Sequence, residues 1–188
     1  MVMAEATNHY FKHLGVSDGL SQVCIPSIYQ DELGAVWLGT TEGLNRYNGK
    51  DVKVFKPSES NNGLTNNEIN ELCGDKNGRM YIRSGNDLIK LDIYTEQFTC
   101  LRQKGVYGLF CKKDTLWVSC ADGIYYYTGQ GTELTFFARV QKGFVGRALY
   151  VDKETVWVVT RKYLVAISRE DPLRQEILLT LDKGNCIL

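Results

Sequence analysis

The chain has 188 residues, enough to bury one sizeable core, and its 22 Lys and Arg balance its 22 Asp and Glu. With zero formal charge and no run of like charges, it has no electrostatic footprint for nucleic acid or an anionic membrane, so neither is expected as a direct partner. No apolar run approaches the roughly 20 residues that span a bilayer, and MVMAEA lacks the basic flank and apolar stretch of a secretion signal.

In chain order, HYFKHLGVSDGLS from His9 reads as an outer strand and a lead-in loop. Four short runs follow: VCIPSIYQ from Val23, AVWLGTT from Ala35, GLNRYN from Gly43 and KVFK from Lys53. Asn48-Gly49 between the last two is a hairpin signal, because both residues tolerate the positive φ of a tight turn. SESNNGLTNN then leads to INELCGD, RMYIR, DLIKLD and EQFTCL. A third set is VYGLFC, LWVSC, GIYYYT and ELTFFA; a fourth is RALYVD, VWVVT, YLVAIS and EILLTL. Helical periodicity is nearly absent, and runs rich in Val, Ile, Tyr and Phe between Gly, Asn and Asp clusters predict an all-β chain.

Aromatic anchors organise these runs. Trp37, Tyr81, Trp117 and Trp157 recur at intervals near the ~40 residues of a propeller blade. Leu44, Leu88, Ile124 and Leu164 stand seven positions beyond them, and Thr40, Ser84, Cys120 and Thr160 three beyond. A unit that buries both sheet faces needs stacked neighbours. The expectation is therefore a β-propeller of four four-stranded antiparallel blades, with Trp37, Trp117 and Trp157 packed between sheets. The blades are placed at about 23–57, 67–102, 105–139 and 145–181, after an outer strand and loop at 1–22 and before the start of a further blade at 182–188. Both ends read as cut from something longer, a partial ring closed by further blades of a parent chain or by a second copy.

QDELGAVWLGTTEGLNRYNGKDVKVF with NGLTNNEI resembles the two-component regulator propeller repeat, through Asp31, Gly34, Trp37, Gly39, Thr40, Gly43, Leu44 and Tyr47. The later units depart from it: Tyr81 replaces the Trp, Ser119 a Gly, and Tyr163 the turn glycine. The resemblance implies the periplasmic sensor region of a Bacteroides-type hybrid two-component system, in which a propeller binds a glycan fragment and regulates a histidine kinase. Under that reading this segment is a non-catalytic sensor piece, and the signal and membrane segments belong elsewhere. The alternatives are a propeller carbohydrate-active enzyme, lyase or glycosidase, and a protein-interaction scaffold.

Chemical motifs are sparse. GLNRYNGK from Gly43 almost spells a phosphate-binding loop, but five residues separate its glycines and Asp51 follows Lys50. His9 and His13, four apart, would lie ~13 Å apart on a strand, too far for one metal ion. The cysteines Cys24, Cys73, Cys100, Cys111, Cys120 and Cys186 show no CxxC and no nearby histidine, so zinc is not expected. Core thiols are their ordinary reading, and spacing leaves disulfides open. Glu32, Glu42, Asp75, Asp122 and Asp152 occupy turns, as carboxylates do for structural reasons, so no catalytic residue and no cofactor is assigned.

The site expected from the repeat is the rim carrying the turns between second and third strands, where loops vary over a rigid scaffold. It presents Glu42, Asn86, Asp122, Arg161 and Lys162 as candidate ligands for sugar hydroxyls. Arg102, Lys104 and Lys142 are added from the connecting loops. Tyr107, Phe144 or Tyr163 would stack on a sugar face, whereas the Tyr125–Tyr127 run reads as strand packing alternating inward and outward.

Overall fold

The structure is a computed structural model that describes residues 13–57, 63–140 and 145–180. It contains four separate four-stranded antiparallel sheets, each with its strands in sequence order. The first comprises β1 (Ser27–Gln30), β2 (Val36–Thr40), β3 (Gly43–Tyr47) and β4 (Val52–Phe55). The second comprises β5 (Ile69–Gly74), β6 (Arg79–Ser84), β7 (Asp87–Asp92) and β8 (Gln97–Lys104). The third runs through β9 (Val106–Lys112), β10 (Thr115–Cys120), β11 (Gly123–Tyr127) and β12 (Thr135–Ala138). The fourth runs through β13 (Val145–Val151), β14 (Thr155–Thr160), β15 (Tyr163–Ser168) and β16 (Gln175–Thr180). First strands β1, β5, β9 and β13 lie side by side around an axis, so the sheets are propeller blades.

One sequence expectation is corrected at the start of the chain. The first strand begins at Ser27 rather than Val23, since Pro26 has no N–H to give to a ladder. Residues 13–22 hold a 3-10 turn, Val16–Asp18, and no strand; His9 and residues 182–188 fall outside the described residues. Leu20 from this lead-in is buried against the first sheet, and Ser21 hydrogen-bonds Thr40 Oγ1 and Asn45. The second lead-in repeats the device: Leu64 is buried in the core between blades one and two, and Asn66 bonds the Ser84 hydroxyl.

The hydrophobic core is three inter-blade layers. Trp37, Leu44 and Phe55 meet Ile69, Leu72, Met80 and Ile82 across the first joint. Tyr81, Leu88 and Leu101 meet Val106, Leu116, Val118 and Tyr127 across the second. Trp117, Ile124 and Ala138 meet Leu149, Val151, Val156 and Val158 across the third. Close approach explains Gly39: a Cβ there would lie 2.8 Å from Ile69 Cγ2. Two of the small residues after the anchors have a different cause, because the Thr40 and Thr160 hydroxyls bond the turn that follows them.

Each anchor faces the following blade. Trp37 and Trp117 are buried there, as expected. Among the described residues no following sheet covers Trp157: it is half-buried, and with Tyr150, Val159 and Leu164 of the fourth sheet it lines an open hollow of about 250 Å³ that Glu71 and Leu109 of the inner strands β5 and β9 also line.

In the first and fourth blades a carboxylate in the first turn orients the anchor. Asp31 Oδ1 accepts the amides of Leu33 and Ala35 at 3.0 and 2.9 Å, while Oδ2 accepts Trp37 Nε1–H at 2.7 Å. Asp152 does the same for Glu154, Thr155 and Trp157 Nε1. Asp75 accepts the Asn77 and Arg79 amides and, where no Trp exists, Arg79 Nε–H. The Asp152 carboxyl is held below the usual carboxylate range, first by the Trp157 indole and then by the Glu154 and Thr155 amides.

The unequal burial of the anchors and the depressed Asp152 carboxyl are both measurable. Trp37→Ala should cost about 3–5 kcal/mol in denaturant unfolding and Trp157→Ala less than about 2, because only Trp37 leaves a closed cavity. A carboxyl whose folded pKa is depressed stabilises the fold above its ordinary value near ~3.9 and loses that contribution on acidification through the folded value. The melting temperature of Asp152→Asn should therefore lie below that of the parent at pH about 6, with the gap narrowing toward pH about 3, as read by calorimetry.

Candidate functional site: an inter-blade groove

The turns between second and third strands emerge beside the links that join successive blades. The link between blades two and three shows it: the Val106 amide bonds Asn86 O, and neighbouring Gly105 lies close to Ala121. Glu42, Asn86, Asp122, Arg161 and Lys162 are all exposed in these turns. Glu42 stands 3.9 Å from Lys56, and Asp122 accepts the Tyr125 hydroxyl at 2.7 Å, each within its own blade. Arg102 leaves the rim to pair with Glu133 at 3.0 Å. Tyr163 packs partly buried on the third core layer, and Lys142 and Phe144 lie outside the described residues.

A larger recess opens at the opposite edge, between blades three and four, where the turns β13–β14 and β15–β16 emerge. Its volume is about 460 Å³, within the range of small-ligand sites. Blade three supplies an aromatic wall of Trp117, Tyr126 and Phe137, and blade four supplies Lys153, Arg169 and Glu170. Phe137 meets Trp117 edge-on at 5.0 Å and Tyr126 lies 5.6 Å from it. The Arg169 guanidinium sits over the Trp117 ring at 5.4 Å, and its Nη1 donates to Asp152 O and Lys153 O. Backbone and ring thus hold the cation at the lining of the recess, and among the described residues no carboxylate pairs with it.

The first joint shows why this groove is special. Facing each anchor on the third strand stand Arg46, Lys90, Tyr126 and Ala166. Arg46 lies over Trp37 at 5.5 Å and pairs with Glu96 at 2.9 Å, while Lys53 also bonds Glu96 and covers Phe55. Ion pairs therefore span the equivalent space in the first joint. Tyr126 supplies a ring and no charge, and the third joint stays open. The sequence did carry this signal, in the Tyr125–Tyr127 run, but only the strand register separates Tyr126, on the groove, from Tyr127, buried against Tyr81.

Among the described residues no group of three or more His, Cys, Asp or Glu could hold a metal, and no helix is long and apolar enough to cross a membrane. His13 is exposed.

Comparison with known proteins agrees with this architecture. The two component regulator propeller family model matches residues 19–42, the span from the Leu20 lead-in through the Asp31 turn and Trp37. Histidine kinase P4 of Formosa agariphila is 40% identical over 53 residues, 28% of this chain and 4% of that protein. The extracellular domain assigned to a hybrid two component system of B. thetaiotaomicron superposes with a TM-score of 0.74 at 21% identity, over 89% of this chain and 26% of that one. An extracellular domain assigned to a one component system of the same organism gives 0.71 at 18% identity, over 90% and 27%. The chain thus spans about a quarter of the length of these structures, and at such identities the likeness is one of fold. Residues 19–42 match the two component regulator propeller model, and they are set in an all-β propeller fold shared with these extracellular domains of B. thetaiotaomicron.

Proposed function

We propose that this chain is a non-catalytic, extracytoplasmic ligand-binding module of a two-component signalling protein, facing the periplasm, and that its ligand is a glycan fragment. The observation that carries the reading is the groove of the third joint. Trp117, Tyr126 and Phe137 offer apolar ring surface for the C–H faces of a sugar, and Lys153, Arg169 and Glu170 offer donors and an acceptor for its hydroxyls. Because the groove is formed by two blades, a ligand in it touches both and favours the blade arrangement that it fits best. Regulation of a histidine kinase by such a ligand follows if the two arrangements differ in what they present to the rest of the parent protein. The exposed rim residues Glu42, Asn86, Asp122, Arg161 and Lys162 form a second, more open candidate surface.

The open forward face of the fourth sheet supports a further element of the proposal. Trp157, Val159 and Leu164 occupy the places held in the first sheet by Trp37, Gly39 and Leu44, which the next blade covers. We infer that a further blade of the same repeat seats there in the parent protein.

Calorimetry of the full extracytoplasmic region against an oligosaccharide panel tests the ligand reading. Saturable binding is expected, weakened roughly tenfold or more by Tyr126→Ala or Arg169→Ala and little changed by Glu42→Ala. Equal affinity in the groove variants with loss in the rim variant would move the site to the rim. Hydrolysis of the panel without saturable binding would overturn the sensor reading altogether.

A further inference from the structure

The inner strands of blades two and three bring two thiols together. Cys73 Sγ on β5 lies 2.8 Å from Cys111 Sγ on β9, less than about 1 Å beyond the ~2.05 Å of a disulfide bond. Their meeting is a consequence of the repeat. Cys73 pairs in register with the anchor Tyr81 and so faces forward; Cys111 pairs with Leu116, one residue before the anchor Trp117, and so faces back. The same two positions meet at the other joints. At the first joint they are Tyr29, opposite Trp37, and Gly74, opposite Met80. Contact there is so close that a Cβ on Gly74 would overlap the Tyr29 ring. At the third they are Phe110 and Val151, which share one core layer. The fold thus brings this pair of positions together at every joint, in direct contact at the first two, and the second joint fills them with cysteine on both sides.

We propose that Cys73 and Cys111 form a disulfide that staples blade two to blade three when the protein meets a disulfide oxidant. The geometry stands whatever ligand the groove binds; an extracytoplasmic location adds only that the compartment would be oxidising. Both residues are half-buried. Burial, the adjacent Cys111 thiol and the charges of Glu71 and Asp75 push the Cys73 thiol well above its usual range, so Cys73 is a poor opening nucleophile and the exchange begins at Cys111. It attacks one sulfur of a small-molecule or protein disulfide and expels the other as a thiolate. Cys73, giving up its proton, then displaces the remaining oxidant sulfur from Cys111. Two protein thiols lose two electrons and two protons, and the oxidant becomes two thiols. The loop closed by the bond joins positions 38 apart in sequence and contains β6, β7 and β8, the remainder of blade two.

The test is peptide mapping of the unmodified protein after equilibration with excess glutathione disulfide, acid quenching and alkylation under denaturing conditions. A cross-linked peptide pair containing Cys73 and Cys111 is expected, two hydrogens lighter than the sum of the reduced peptides. Reduction of that protein should lower its melting temperature by roughly 5–15 °C, a shift that C111S and C73A abolish and C24S retains. Full alkylation of both Cys73 and Cys111 after oxidation would overturn the proposal. So would cross-links that join either one to Cys24, Cys100 or Cys186 instead, and neither outcome bears on glycan binding.

Discussion

A turn carboxylate fixes the anchor of the first blade and that of the fourth. Asp31 sits buried at the first hairpin, where one oxygen satisfies two turn amides and the other fixes the Trp37 indole. The turn and the anchor are therefore set by one group, and the ring it aims becomes the floor on which blade two packs. A buried carboxylate with fewer donors would cost several kcal/mol, so Asp, turn amides and indole succeed or fail together. Blade two lacks the indole and bears the consequence. Asp75 turns to Arg79, and the Tyr81 hydroxyl is left buried with no hydrogen-bond partner among the described residues. Burial accordingly pushes the Tyr81 phenol far above its ordinary range.

Because the joints share one plan, their differences are where selectivity can reside. The residue opposite the anchor decides whether a joint is spanned by charge, as with Arg46 and Glu96, bridged by an amine, as with Lys90 and the Tyr127 hydroxyl, or left open with an aromatic wall. A repeat protein can vary that one position without disturbing the anchor behind it. In a two-blade groove, unlike an exposed rim, ligand contact and blade spacing are linked by geometry, which is what a sensor requires.

The four-blade architecture was legible because the offsets from Trp37, Tyr81, Trp117 and Trp157 do not slip, and each offset corresponds to a side-chain direction on a strand. Solvent exposure of the rim turns was legible for the same reason. What could not be read was anything that depends on two blades at once. Tyr126 belongs to a groove only because Arg169 comes from the next sheet. Cys73 and Cys111 look unrelated in spacing because one lies eight residues before its anchor and the other six. Trp157 matches the pattern of Trp37 in sequence, yet its burial depends on a neighbour that the pattern itself does not contain.

The contact pairs near the axis also have a bearing on ancestry. Tyr29 against Gly74, Cys73 against Cys111 and Phe110 against Val151 are three solutions to one spatial problem, and they do not mix. Were blades two and three exchanged, the Tyr29 ring would strike a cysteine where it now has only hydrogen to pass. Duplicated units that began as interchangeable have become individually addressed, so the chain now specifies the succession of its blades, and unequal recombination between repeats carries a built-in steric penalty.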